Sequence, residues 1–131
     1  MVEWGSINAR SVIREVGGGR LKKRDLKLSD HNVTTKKYNE LRYFCLQYGD
    51  KRRELERIHG AGGKEIPRVR QIKEEIELIE QTALEADPEL YKWTLKSVTE
   101  GIPYENMDVP AGRRQFYETR RYFFFLLAQK R

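Results

Sequence analysis

Arg113, Arg114, Gln115, Tyr117, Arg120 and Arg121 stand within nine consecutive positions near the C-terminal end of the chain. Together they carry the side-chain chemistry of polyanion recognition. A guanidinium meets a phosphate, or the O6/N7 edge of guanine, through two parallel N–H donors, and a glutamine amide matches the N6/N7 edge of adenine. Arg113, Arg114, Gln115 and Tyr117 fall in the first two turns of the helix this stretch predicts, where a recognition helix reaches base edges. Thr119, Arg120 and Arg121 follow as phosphate ligands. Lys22-Lys23-Arg24 and Lys51-Arg52-Arg53 are two further basic clusters able to lie along a phosphate backbone.

The element that must hold the first cluster is a helix predicted to open at Pro110 and run to the end of the chain. Proline is tolerated in a first helical turn, and no proline or glycine interrupts the run after Gly112. Phe116, Arg120, Phe123 and Leu127 share one helical face, with Phe124 beside them, so this helix has a face to bury and a basic start to present. The rival reading is that the arginines only solubilise an aromatic core helix.

The whole chain supports the first reading. It has 131 residues, enough for one domain with a modest core, and a formal net charge of +6. The basic excess is uneven. Residues 1–33 and 34–60 each hold seven Lys/Arg against four Asp/Glu, residues 61–100 hold six against nine, and residues 101–131 hold six against three. Basic blocks on both sides of an acidic one point to a polyanionic partner, nucleic acid ahead of membrane. The charged fraction of 35% and mean hydropathy of -0.80 suit a helical protein with much solvated surface, and 11% aromatic residues argue against disorder throughout. Cys45 is the single cysteine, which excludes an intramolecular disulfide and a thiolate metal cage and suits a reducing cytoplasm. No apolar run has the length of a membrane span, and none at the N-terminus resembles a signal peptide.

In chain order, residues 1–33 read as a basic, partly flexible N-terminal arm, with a short helix over 7–16 ended by Gly17-Gly18-Gly19. Residues 34–131 read as one helical domain. Thr34-Thr35 offers an N-cap to an amphipathic helix carrying Tyr38, Leu41, Cys45, Tyr48, Arg52, Leu55 and Ile58, with Phe44 widening the stripe and Gly49 placed to kink or split it. Gly60-Ala-Gly-Gly63 is turn chemistry. Pro67 opens a second helix with Val69, Ile72, Ile76, Ile79 and Ala83 at heptad spacing, and Glu74, Glu75, Glu77, Glu80 and Glu85 read as its solvated face. The two form an antiparallel hairpin over 34–86. Asp87-Pro88-Glu89 caps a third helix with Leu90, Tyr91, Leu95 and Val98 inward, and Gly101 ends it in the left-handed conformation. Asp108 is a candidate N-cap for the last helix.

Catalytic patterns are missing. His31 and His59 lie apart, and no HExxH, CxxC or Gly-x-Ser-x-Gly occurs, so the residues argue against an enzyme, a metal site, a cofactor or a small-molecule substrate.

From Glu85 onward, the order helix, Thr99-Glu100-Gly101 turn, short segment and then Pro110-Ala-Gly-Arg-Arg-Gln-Phe-Tyr-Glu-Thr-Arg-Arg121 resembles the sigma-factor region 4 type of helix-turn-helix. Late transcriptional regulators of Gram-positive phages, the RinA- and ArpU-like families, carry this type. The resemblance implies an all-α fold, a helical hairpin followed by a helix-turn-helix-like unit over 87–131, and DNA as partner. It also implies transcription regulation in a bacterial host cell, with RNA polymerase as a possible protein partner. Dimerisation through the heptad faces would strengthen DNA binding. Only eight residues separate Gly101 from Pro110, whereas a two-turn scanning helix needs about seven before a turn of three or four is added. The first helix of the motif is therefore truncated or replaced. The alternative function is a phage helical adaptor or inhibitor that binds a host nucleic-acid-processing protein through an acidic or aromatic patch, with the Glu74–Glu85 face as one candidate. RNA binding by exposed aromatic stacking is a third possibility.

Overall fold

The computed structural model describes residues 23–62 and 66–131. They are all-helical, with no strand among them: α1 (Thr35–Leu46), α2 (Tyr48–Gly60), α3 (Pro67–Ala86), α4 (Tyr91–Glu100) and α5 (Arg113–Lys130). Two 3-10 turns, Lys23–Asp25 and Leu28–His31, precede α1, and a third, Tyr104–Asn106, lies between α4 and α5. The predicted helix over 7–16, the triple glycine, Lys22 and the side chain of Arg24 lie outside the described residues.

The Thr34 hydroxyl accepts from the Lys37 N–H at 3.1 Å and caps α1. The long helix expected over 34–59 divides at Gln47, before Gly49. The Gln47 N–H reaches the Phe44 carbonyl at 3.4 Å, a tightened last turn, and its own carbonyl accepts from Lys51 N at 2.9 Å to start α2. Gly49 therefore sits in a first turn, a place where glycine interrupts little.

α2 and α3 form the expected antiparallel hairpin, fastened by a ladder of ion pairs. Lys51 meets Glu75 at 3.1 Å, Arg52 meets Glu80 at 3.3 Å, and Arg68 meets Glu54 at 3.3 Å. Tyr48 also donates its hydroxyl to Glu80. The glutamates expected to be a solvated face are thus divided. Glu74 and Glu77 are exposed, while Glu75 and Glu80 face α2 and Glu85 pairs with Lys130 at 2.7 Å. Heptad residues Val69, Ile72, Ile76, Ile79 and Ala83 are all buried within the chain.

α5 is the centre of the core. Phe116, Phe123, Phe124 and Leu127 are buried as the spacing predicts, but so are Phe125 and Leu126, which lie off that stripe. The reason is that α5 is covered on more than one side. Leu26 at 2% exposure joins its cluster from the N-terminal segment, Leu41, Phe44 and Cys45 from α1, Ile79, Ala83 and Ala86 from α3, and Val98 from α4. His31 packs edge-on to Phe125 at 5.0 Å. Each of the five consecutive apolar side chains 123–127 contributes about 2 kcal/mol by burial. Residues 23–33, assigned from the sequence to the arm, are thus a strap packed on α5, with Leu26 and Val33 buried.

The far end of α5 is held by polar contacts. Lys130 donates to Glu85 and to the Thr82 hydroxyl, the latter at 3.1 Å, and the Phe44 ring lies beneath the Arg131 guanidinium at 3.8 Å and the Lys51 ammonium at 4.2 Å. Burial pushes the Cys45 thiol up to about 12, although Arg120, Lys51 and Arg131 pull the other way. That thiol is an inert core group.

Candidate nucleic-acid interface

Gly101 adopts φ 71°, and its N–H closes α4 on the Ser97 carbonyl at 3.0 Å. The chain then makes the 3-10 turn at Tyr104–Asn106 where a scanning helix would stand. Tyr104 fastens this connector to α5. Its hydroxyl donates to the Ala111 carbonyl at 2.6 Å, its N–H donates to the Tyr117 hydroxyl at 3.4 Å, and its ring lies 5.7 Å from that of Phe116. Pro110 and Asp108 consequently belong to the connector, and the helix expected to open at Pro110 opens at Arg113. Gly112 is its N-cap in extended conformation, without a side-chain cap, and its carbonyl accepts the first helical bond from Phe116 at 3.0 Å.

The clasp leaves the basic start of α5 on the surface. Arg113, Arg114, Tyr117, Glu118 and Arg121 line a shallow cavity of about 620 Å³. A second cavity of about 610 Å³ runs between α5, the strap and the start of α1. It is lined by Tyr117, Arg120, Arg121 and Phe124 from α5, Leu26, Lys27 and Leu28 from the strap, and Tyr38. Tyr117 and Arg121 belong to both, so the two form one continuous trough along the side of α5.

Carboxylates on this surface are fewer than cations and weakly engaged. Arg113 Nε donates to Glu105 at 2.7 Å, with both side chains more than half exposed, and the guanidinium lies 5.0 Å over the Tyr117 ring. That hydrogen bond holds the Glu105 carboxyl below its ordinary value and the Arg113 guanidinium above its own. Arg114 is 88% exposed and lies 3.5 Å from Glu118 along the helix, a pair worth roughly 0.5 kcal/mol. Gln115 is exposed, and Arg121 makes no ion pair among the described residues.

Arg120 differs from its neighbours. It is half-buried, its Nε donates to the Ser97 hydroxyl at 3.0 Å, its Nη1 donates to the Tyr38 hydroxyl at 3.2 Å, and the Phe124 ring lies at 5.1 Å. Its position on the buried stripe, visible in the sequence, accounts for this.

The other basic clusters have structural occupations. Lys51, expected to face a phosphate, is buried between Glu75 and Phe44. Arg52 is held by Glu80 and Tyr48, whose phenol is shifted upward by burial and by its bond to Glu80. Arg53 pairs with Asp50. Arg52 and Arg53 line a different depression with Thr99 and Glu100, which shares no residue with the trough. Lys23 donates to the Ala86 carbonyl at 2.7 Å, lies 3.8 Å from Asp87 and 5.1 Å over the Tyr122 ring, and so staples the strap. Burial lowers its ammonium, against the raising effect of Asp87 and Glu118.

Sequence reasoning missed Lys27, Tyr38 and Tyr104. Tyr38 sits on a helical core stripe and was assigned there, and Lys27 between two leucines carries no signal of its own. The tyrosine clasp joins residues on two elements and has no linear motif. Among the described residues no group of three or more His, Cys, Asp or Glu gathers as metal ligands, and no helix is long and apolar enough to cross a membrane. No family model, no curated protein and no solved structure matches the chain.

Proposed function

We propose that this protein binds DNA through the cationic start of α5, acting as a transcription regulator of the phage late-regulator type that its C-terminal residues resemble. The observation that carries the reading is the trough side of α5. Arg113, Arg114 and Arg121 share one surface with Tyr117, and among the described residues Glu118 and the neighbouring Glu105 are the carboxylates paired with them. Exposed, lightly paired guanidinium groups are available to exchange a weak intramolecular carboxylate for a phosphate, with release of condensed counterions as the driving force. One candidate surface of the adaptor alternative is the Glu74–Glu85 face, and three of its five glutamates are engaged within the chain, which favours DNA over a basic protein partner.

Fluorescence anisotropy of a labelled duplex, titrated with the full chain at several salt concentrations, tests this. Three phosphate contacts predict a slope of log K against log salt of about −3, and Arg113→Ala with Arg114→Ala should lower it by about two. Retention independent of salt, or indifferent to the double substitution, would overturn the reading.

A further inference from the structure

Arg120 poses a problem that the duplex-binding surface does not solve. A partly buried cation ordinarily sits beside an anion, because desolvation without a counter-charge is unfavourable. Both acceptors of this guanidinium are neutral hydroxyls, and no ion pair to it exists among the described residues. The Phe124 face at 5.1 Å supplies only the partial compensation of a ring quadrupole. Ser97 and Tyr38 instead act as positioning groups. They hold the planar fork in one orientation, leaving Nη2 without an acceptor among the described residues on a side chain that lines the cavity beside the strap. Arg121 lines the same cavity, also without an ion pair among the described residues, and Lys27 stands exposed at its edge. No carboxylate is among the side chains that line this cavity, and Glu118, next along α5, pairs with Arg114.

The walls indicate what kind of anion completes the site. Leu28, Tyr38, Tyr117 and Phe124 give the cavity apolar and aromatic lining beside its cations, and about 610 Å³ lies within the range of a small-ligand pocket. We infer that this cavity takes a phosphate of single-stranded nucleic acid on Arg120 and Arg121, with the adjoining sugar and base against Leu28, Tyr38 and Tyr117. A duplex keeps its bases stacked and presents phosphates on a convex surface, so it meets the exposed start of α5. An unpaired strand has a flexible backbone and a free base face, which can enter a concave cationic cavity with aromatic walls. The inference rests on the nucleic-acid reading above but assigns a different substrate form to a different part of the trough.

The experiment compares a labelled thymidine oligonucleotide of about fifteen residues with a labelled duplex, each titrated with the full chain. Arg120→Met keeps the length and apolar volume of the side chain, and Arg121→Ala and Tyr38→Phe serve as independent variants should the first unfold, as read by circular dichroism. The expected result is a loss of about tenfold or more in single-strand affinity for Arg120→Met, with duplex affinity changed less than about twofold. Arg113→Ala with Arg114→Ala should give the opposite pattern. Single-strand binding indifferent to Arg120→Met, Arg121→Ala and Tyr38→Phe, with duplex binding still dependent on Arg113 and Arg114, overturns the cavity assignment alone. Retention of neither nucleic acid overturns the DNA reading with it. Competition arms separate the sources of phosphate. Displacement of the oligonucleotide by thymidine monophosphate only at large excess supports the strand, while inorganic phosphate or the mononucleotide binding as tightly as the oligonucleotide overturns it in favour of a small phosphate ligand.

Discussion

Lys51-Arg52-Arg53 on α2 and Arg113-Arg114 with Arg121 on α5 use the same residue types at similar density, and the fold gives them opposite occupations. Lys51 and Arg52 of the α2 cluster face α3, whose Glu75 and Glu80 arrive at the right heights of an antiparallel pair, and Lys51 closes over Phe44, while Arg53 stays exposed beside Asp50 of its own helix. The α5 cluster meets Glu105 of the connector and Glu118 of its own helix, and the Arg113 and Arg114 side chains stay exposed while Arg121 is partly covered. The difference teaches that a basic cluster stays available on the surface only where the neighbouring elements do not occupy it with carboxylates. Its own sequence does not decide this.

The comparison breaks most readily at Lys51. Lys51→Ala leaves Glu75 without its ion pair, with only Gln71 still donating to it among the described residues, and uncovers one face of Phe44, and the expected loss is about 3 kcal/mol of folding stability, measured by urea denaturation. DNA affinity of the folded fraction should be unchanged. A weakened affinity would mean that the α2 cluster also touches the ligand. Next in size is Arg113→Ala with Arg114→Ala, which should reduce duplex affinity about tenfold or more while shifting the thermal midpoint by less than about 2 °C. A large drop in midpoint would show that these arginines are structural, as Lys51 of α2 is.

Smaller effects sharpen the contrast. Arg52→Ala should cost about 0.5 to 1 kcal/mol, since its pair with Glu80 is half-exposed, and Tyr48 remains to donate to that carboxylate. Glu105 provides a pH test. Its folded-state value lies below the ordinary carboxylate value of 4.5, so its pairing with Arg113 is fully present above that value and is lost as pH falls through the depressed one. The carboxyl resonance of Glu105 should titrate below 4.5 in the wild type and return toward 4.5 in Arg113→Ala. An unshifted wild-type titration would remove the pair. The smallest change is chemical. With its thiol buried and pushed to about 12, Cys45 should react with an aromatic disulfide reagent at neutral pH only as fast as the core opens. Rapid labelling of the folded protein would contradict its place in the core.

Local chemistry made much of the scaffold legible. Pro67 opens α3 and Gly101 ends α4 because each has a backbone preference independent of what surrounds it. The stripe Val69, Ile72, Ile76, Ile79 and Ala83 is buried because spacing alone puts those side chains on one face. Pro110 misled for an instructive reason. It suits a first helical turn, but Tyr104 takes the Ala111 carbonyl, and Pro110 and Ala111 lie in a bend ahead of the Gly112 N-cap. The full burial of Phe125 and Leu126 depends on how many neighbours surround α5, which periodicity within one helix does not report.

The candidate site divides in the same way. Arg113, Arg114, Tyr117 and Arg121 could be named from residue type and position in a predicted first two turns, and they do share a surface. The cavity beside them could not, since Lys27, Tyr38, Ser97 and Arg120 come from four elements and meet only through packing. The amino-acid sequence by itself determined an all-helical chain, the faces its helices bury and an arginine-rich start to the last helix, because propensity, capping and periodicity act over a few residues. Only the tertiary structure decided which cations are neutralised and which remain available, because ion pairing acts over a few ångströms between helices whose register and neighbours are set by the packed core.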